Sequence, residues 1–335
     1  MQSVKTKKII ATSTVQTKSG KGSAPLEHEG FVNCLADLKN DGVSVNKIST
    51  DRNKQIAKWL REKCPNIRHC YDPWHFAKNI KGKIRPIAKK KDNQIIEDWI
   101  KPIGTHLFYC SENCGNDGKK LVEMWKSLLH HVSNRHTFKS NKLYKKCDHG
   151  TLSKEEAKRR KWIKKGTPAF IELEKVVCDE KYLKDMPQLA GADHTGNVEV
   201  FNSVLLAYAP KRIEFDHRYM DARVKLAVLD FNENIGRNQA VIKTPNKPSG
   251  RMGQKRFRFH MAKQSNEWVA KEVKEQKTHN FVEELFEEIF RLKNSGVKIS
   301  SAAPKDTNIP QNIAQTARPE KDEILKKRVK VTRFA

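Results

Sequence analysis

Val45 to Ile80 reads VNKISTDRNKQIAKWLREKCPNIRHCYDPWHFAKNI, which parses as a strand, a helix, a second strand and a second helix. Val45, Ile48 and the β-prone pair Ser49-Thr50 lead into Asp51. Ile56, Trp59 and Leu60 then recur at helical spacing, and Lys63-Cys64-Pro65 closes that helix. Ile67 to Tyr71 is short and strand-like, and Pro73 suits the first position of a helix carrying Trp74, His75, Phe76 and Asn79. This order predicts an α/β fold with Asp51 at the C-terminal end of a strand, where such folds place their chemistry. A plainer reading makes Asp51 the cap of the helix that follows, a role aspartate fills well. Asp72, just before Pro73, could likewise serve as a helix cap.

Composition narrows the partner. The 335 residues are 37% hydrophobic, enough for one substantial core and a smaller appended unit. Lys and Arg number 66 against 39 Asp and Glu, a net charge of +27 that points to a polyanion. No run of about 18 apolar residues occurs, so no membrane span is predicted. Lys5, Lys7 and Lys8 are followed only by Ile9-Ile10-Ala11, too short for a signal peptide. Seven cysteines, odd in number and partly grouped with histidines, fit a reducing compartment better than a disulfide framework. No P-loop or Gly-rich dinucleotide signature is found, so nucleic acid is the expected partner rather than a small molecule or a membrane.

Towards the N-terminus, residues 1–7 are polar, 8–16 (KIIATSTVQ) read as a strand, and 18–24 as a Gly/Ser loop. Leu26 to Asn40 is an amphipathic helix with Phe31, Cys34, Leu35 and Leu38 on one face. Towards the C-terminus, Lys78, Lys81, Lys83, Arg85, Lys89, Lys90 and Lys91 interleave with Ile80, Ile84 and Ile87. That pattern gives a helix with one apolar and one cationic face, either a DNA-backbone contact or a solvated surface. Glu97 to Cys110 is helical, with Trp99, Ile100, Ile103 and Leu107 directed to a core.

Residues 110–149 hold a Cys/His cluster: Cys110 and Cys114, then His130, His131 and His136, then Cys147 and His149. Zinc takes thiolate and imidazole at short paired spacings. Cys110, Cys114, His131 and His136 follow a Cys₂His₂ order, and Cys147 with His149 is an alternative second pair. The residues alone leave the choice open, including ordinary turn cysteines and solvated histidines.

Lys154 to Lys165 reads as a second cationic helix, with Arg159 and Arg160 as further nucleic-acid candidates. Residues 168–178 and 182–189 read as core helices. A helix from about Thr195 puts Val198, Phe201 and Leu205 on one face and Glu199, Asn202 and Ser203 on the other. Residues 208–235 continue as helix, 237–265 as a flexible basic linker, and 266–293 contain an amphipathic helix with Phe281, Leu285, Ile289 and Leu292. Disorder is expected from Ser295 onward. The resulting division is 1–109, 110–150, 151–236 and 237–335.

The sequence TDR (50–52), an amphipathic helix and then HCYDPWHFAKN (69–79) resembles the second catalytic block of eukaryotic cut-and-paste transposases, notably Mutator-like and Kolobok-like elements. DHTGNVEVFNS (193–203) resembles that family's block around its catalytic glutamate, Glu199 standing 148 residues beyond Asp51. The resemblance covers about residues 8–235. It implies a partial ribonuclease-H-like domain entered at its third strand, a helical insertion at 110–150, and a basic, largely disordered C-terminal tail. It also implies DNA as substrate, room for a homo-oligomer, and nuclear localisation. Two Mg²⁺ or Mn²⁺ ions would be bridged by carboxylates, Asp51 second and Glu199 third, with His75 positioning the site or touching DNA. Asp72 is a weaker candidate, and Asp193 and His194 are reserves. The acidic residues before Asp51, namely Glu27, Glu29, Asp37 and Asp41, fall in or beside the predicted helix. The chain is therefore expected to be truncated relative to the family, as a fragment, a decayed copy or a domesticated remnant, and inactive in transposition as it stands. Otherwise it would be a zinc-stabilised interaction module.

Overall fold

The computed structural model describes residues 1–16, 23–139, 141–193, 195–243, 252–262, 267–296 and 319–329. The chain divides into two compact units, Lys39–Asn197 and Met1–Leu38 with Val198–Ala335. The fold is mixed α/β, with helices dominant and small sheets.

α1 spans Ser23–Asn40. β1 (Lys47–Thr50), α2 (Lys54–Lys63) and β2 (Arg68–Tyr71) form a βαβ unit, the strands pairing in parallel with Thr50 opposite Tyr71. A parallel pair needs such a crossover, because its strands run the same way. α2 starts at Asn53, whose Oδ1 accepts from the Gln55 and Ile56 N–H groups at 2.9 and 3.3 Å. Asn53, not Asp51, is therefore the cap. α3 (Pro73–Ala88) has Pro73 in its first turn and Asp72 as its cap, the Trp74 N–H donating to Asp72 Oδ1 at 2.7 Å.

α3 packs on α4 (Glu97–Asn113), and Phe76, Ala77, Ile80 and Ile84 share a core with Ile100, Ile103 and Leu107. α5 (Gly118–Lys126), α6 (Leu128–His131), α7 (Lys154–Arg159), α8 (Pro168–Val177) and α9 (Glu180–Asp185) follow. The core runs continuously from Tyr71 to Ala190 and takes in Cys110, Cys114, Leu121, Trp125 and Phe138 from the expected 110–150 insertion. Fully buried Trp125 satisfies its indole N–H on the Val177 carbonyl at 2.9 Å, as a buried tryptophan requires.

The expected cationic helix over 154–165 is cut short. A capping box of Ser153 and Glu156 starts α7, but Arg160 is extended, and the chain is then pulled inward. Ile163 is buried and its N–H donates to the Val132 carbonyl at 2.8 Å, while the Trp162 indole donates to the Ala157 carbonyl.

In the other unit, 8–16 is extended but not a strand. Ile9 makes one bridge to Gln2, and its N–H and carbonyl are taken by the Asn232 side chain at 2.7 and 2.8 Å. A side-chain amide thus replaces a ladder partner. α10 (Gly196–Tyr208) and α11 (His217–Glu233) hold a small core of Ile9, Phe201, Ala227 and Phe231. The helix expected to continue from 208 is interrupted at Pro210 and restarts at Asp216, whose carboxylate accepts from the Arg218 N–H.

The expected linker supplies one strand and residues 238–242 to a sheet whose other strand lies just beyond it. β3 (Phe257–Ala262) and β4 (Glu267–Glu272) pair antiparallel, and residues 238–242 bond to both 253–256 and 273–275. α12 (Asn280–Asn294) carries the expected amphipathic pattern, its first N–H groups capped by the Glu233 carboxylate at 2.9 Å. α13 (Lys321–Val329) lies in the expected disordered tail. Residues 18–22 of the expected Gly/Ser loop, 244–251 and 263–265 of the linker, and 297–318 with 330–335 of the tail lie outside the described residues. No described helix is long and apolar enough to cross a membrane.

Candidate nucleic-acid and metal sites

Register builds the first site. Because β1 and β2 run parallel with Thr50 beside Tyr71, the next residues, Asp51 and Asp72, emerge side by side at the C-terminal edge. The Asp72 N–H donates to the Thr50 carbonyl at 2.9 Å and fixes that alignment. The first turn of α3 then swings His75 back, and its Nε2 lies 3.1 Å from Asp51 Oδ1. Asp51, Asp72 and His75 present ligand atoms all within 4.8 Å of one another.

The two carboxylates differ. The Asp51 side chain is 53% exposed. Asp72 is buried, with Oδ1 on the Trp74 N–H and Oδ2 receiving the Thr195 N–H at 3.1 Å and the Thr195 hydroxyl. Asp72 thereby ties the start of α3 to the residue preceding α10.

Neighbouring groups hold this edge in place. Arg52 donates to Asp185 through Nε at 2.6 Å and lies over the Phe76 and Tyr182 rings. Residues 190–193 run along the strands. Lys47 pairs with Asp193 at 2.6 Å, Arg68 reaches the Ala190 carbonyl at 2.7 Å, and the Asp193 N–H donates to Ser49 Oγ at 3.2 Å. Gly191 turns with φ +65, a conformation that favours glycine, and its carbonyl takes the Lys47 ammonium at 3.0 Å. His194 lies outside the described residues. Glu199 is exposed in the first turn of α10, in the other unit.

The basic candidates separate in the same way. Lys78, Arg85, Lys89 and Lys90 are exposed on and just after α3, with Lys78 over the Trp74 ring. Lys83 is spent on Asp179 at 2.9 Å and on the Tyr182 ring, and half-buried Lys81 lays its stem against Gly104. Arg159 and Arg160 are exposed at the end of α7.

Of the Cys/His candidates, His131, His136, Cys147 and His149 bring their ligand atoms within 4.8 Å of one another. Cys110 and Cys114 do not join them. Both are buried in the core, Cys110 Sγ 3.4 Å from His106 Nε2 and Cys114 Sγ 3.4 Å from the Ser111 carbonyl. Burial pushes the Cys110 thiol up, and Cys114 adds to the effect. His130 instead packs its ring on Phe138.

Sequence reasoning passed over Arg52, Thr195 and the double role of Asp72. The one legible signal was Asp before Pro at a helix start, which marks a cap and not the second carboxylate oxygen's reach across the chain.

Residues 27–173 match a DDE transposase family model of the ISL3 type, described as Transposase. The match spans Asp51, Asp72, His75 and the Cys/His cluster and ends before Glu199. It supports a DDE transposase. No curated protein and no solved structure matches.

Proposed function

We infer that this chain is a transposase-lineage DNA-binding protein that holds a divalent cation at Asp51. The observation that carries the reading is the Asp51–Asp72–His75 group at the end of a parallel strand pair, inside the span that matches a transposase family. The donor chemistry fits the ion. Carboxylate oxygens suit Mg²⁺ and Mn²⁺, and one imidazole favours Mn²⁺ of the two. A bound ion of this kind activates a water or 3′-OH and stabilises the leaving oxygen in phosphodiester chemistry.

The chain's own residues divide the remaining work. Asp51, exposed and not used as a helix cap, is the ligand that meets the cation. His75 orients its carboxylate, Asp72 fixes the strand edge, and Arg52 anchors the turn between them. Lys78, Arg85, Lys89 and Lys90 offer exposed charge to a phosphate backbone. Glu199 is carried as a further carboxylate on the resemblance of its block to the family's, as are the ribonuclease-H-like fold, the Mutator-like or Kolobok-like affiliation, nuclear localisation and self-association.

Two carboxylates stand at the strand edge, and Asp72 already accepts from Trp74 and Thr195. One accessible acid is a poor scaffold for a pair of ions, so the 335-residue chain is expected to bind DNA and cation without efficient strand cleavage. The test is incubation of the purified chain with Mn²⁺ and end-labelled duplex DNA, alongside a binding titration in rising salt. Salt-sensitive binding with little nicking supports the reading. Strong nicking abolished by Asp51→Ala would show a competent nuclease, and absence of DNA binding would remove the DNA-binding reading altogether.

A further inference from the structure

We propose that His131, His136, Cys147 and His149 form a closed four-ligand zinc site that fastens the His136 and Cys147–His149 arms to the helical core of their unit. This site is separate from the Asp51 edge and does not depend on the function inferred there.

Three local devices deliver the four ligands. His131 ends α6. His136 and Cys147 are brought together by a short antiparallel pairing, the Cys147 N–H donating to the His136 carbonyl at 2.9 Å and the Phe138 N–H to the Lys145 carbonyl at 2.7 Å. His149 follows Asp148, whose carboxylate takes the hydroxyls of Tyr109 and Tyr144. Those two phenols fix the Cys147–His149 arm against the core.

The geometry suits a tetrahedral ion. Zinc bonds of about 2.0–2.1 Å to nitrogen and about 2.3 Å to sulfur set ligand atoms roughly 3.3–3.7 Å apart. Cys147 Sγ lies 3.5 Å from His131 Nδ1. The three imidazole rings stand nearly perpendicular in pairs, with centroids 4.8–5.2 Å apart.

Tautomers point the same way. His136 Nε2 lies 3.1 Å from Asn134 Oδ1, which can only accept there, so Nε2 carries the proton and Nδ1 carries the lone pair. That Nδ1 is buried and has no hydrogen-bond partner. His149 Nδ1 is held by the Gly150 carbonyl at 2.7 Å, which leaves Nε2 as its lone-pair nitrogen. Outer hydrogen bonds of this type select the metal-binding nitrogen in known zinc centres.

A buried lone pair facing two more imidazoles and a thiol is costly without a cation. No carboxylate belongs to the group, which disfavours Mg²⁺ and Ca²⁺ and favours a borderline ion taking nitrogen and sulfur. Zinc entry breaks the Cys147 S–H bond, forms the Zn–S bond and releases the proton to solvent. Four protein ligands leave no open position, so the role is structural.

The test uses the full chain, with zinc measured by mass spectrometry of the metal and with Co²⁺ exchanged into the site. The expected result is one ion per chain, tetrahedral cobalt absorption, and a thiolate-to-cobalt charge-transfer band. Cys147→Ser should abolish that band. His149→Ala, at an exposed position, should leave the chain folded and weaken zinc by more than the roughly 10–100-fold typical of losing an outer partner, the loss expected for Asn134→Ala. No zinc uptake by the wild-type chain overturns the proposal. So does unchanged affinity in both Cys147→Ser and His149→Ala, or a charge-transfer band that survives Cys147→Ser and disappears in Cys114→Ser.

Discussion

His75 Nε2 meets Asp51 Oδ1 at 3.1 Å across the C-terminal edge of the parallel β1–β2 pair. The contact follows from strand register and one helical turn, and it leaves the Asp51 side chain half exposed. Folding therefore makes little demand on Asp51, while its neighbours Asn53 and Asp72 do the capping.

That division predicts opposite phenotypes for nearby residues. Asp51→Asn should leave unfolding stability within about 0.5 kcal/mol of wild type, as for most exposed positions. Asn53→Ala should cost about 1 kcal/mol through loss of the α2 cap. Denaturant unfolding of the two variants measures both, and a large destabilisation by Asp51→Asn would show that the carboxylate is structural.

Asp72→Ala removes acceptors from Trp74 and Thr195 together and leaves their donors unsatisfied in a partly buried place. The expected cost is about 2–4 kcal/mol, combining a missing cap with unsatisfied groups. Asp72→Asn should be intermediate, since its amide retains one acceptor oxygen. The same unfolding measurement applies, and amide exchange at Trp74 and Thr195 should speed up in both variants.

The βαβ unit could be read directly from the chain, because Pro73, the Ile56–Leu60 spacing and the short apolar runs are local signals. The pairing of Asp51 with Asp72 could not, since it depends on register between strands separated by α2. Cys110 and Cys114 misled for a related reason. Their separation is also one helical turn, and α4 buries that face. In 257–261 the alternation Phe-Arg-Phe-His-Met is a strand pattern that sits among Gly, Pro and Lys, so composition outweighed period.

DNA affinity should depend on which basic side chains are open to the backbone. Lys83→Ala should leave the salt dependence of binding unchanged, because its ammonium is engaged by Asp179. Joint replacement of Lys78, Arg85, Lys89 and Lys90 by Ala should make the slope of log K against log salt shallower, by about 0.9 for each phosphate that is no longer neutralised. Fluorescence anisotropy across a salt series distinguishes the two.

Acid should loosen the strand edge. Burial holds His69 down to about 4, and its Nε2 lies 2.8 Å from Thr50 Oγ1. The unfolded chain takes up this proton near pH 6.5 and the folded chain does not, so the stability present above about pH 6.5 is lost as pH falls towards 4. His69→Gln should flatten that part of the stability–pH curve relative to wild type, as followed by denaturant unfolding at a series of pH values.

The claim that a divalent ion sits on Asp51 is tested most directly by Mn²⁺ titration of the zinc-saturated full chain, followed by electron paramagnetic resonance. The wild type should bind Mn²⁺, and Asp51→Asn, equally folded, should lose that binding. Equal Mn²⁺ binding by both proteins would contradict the assignment.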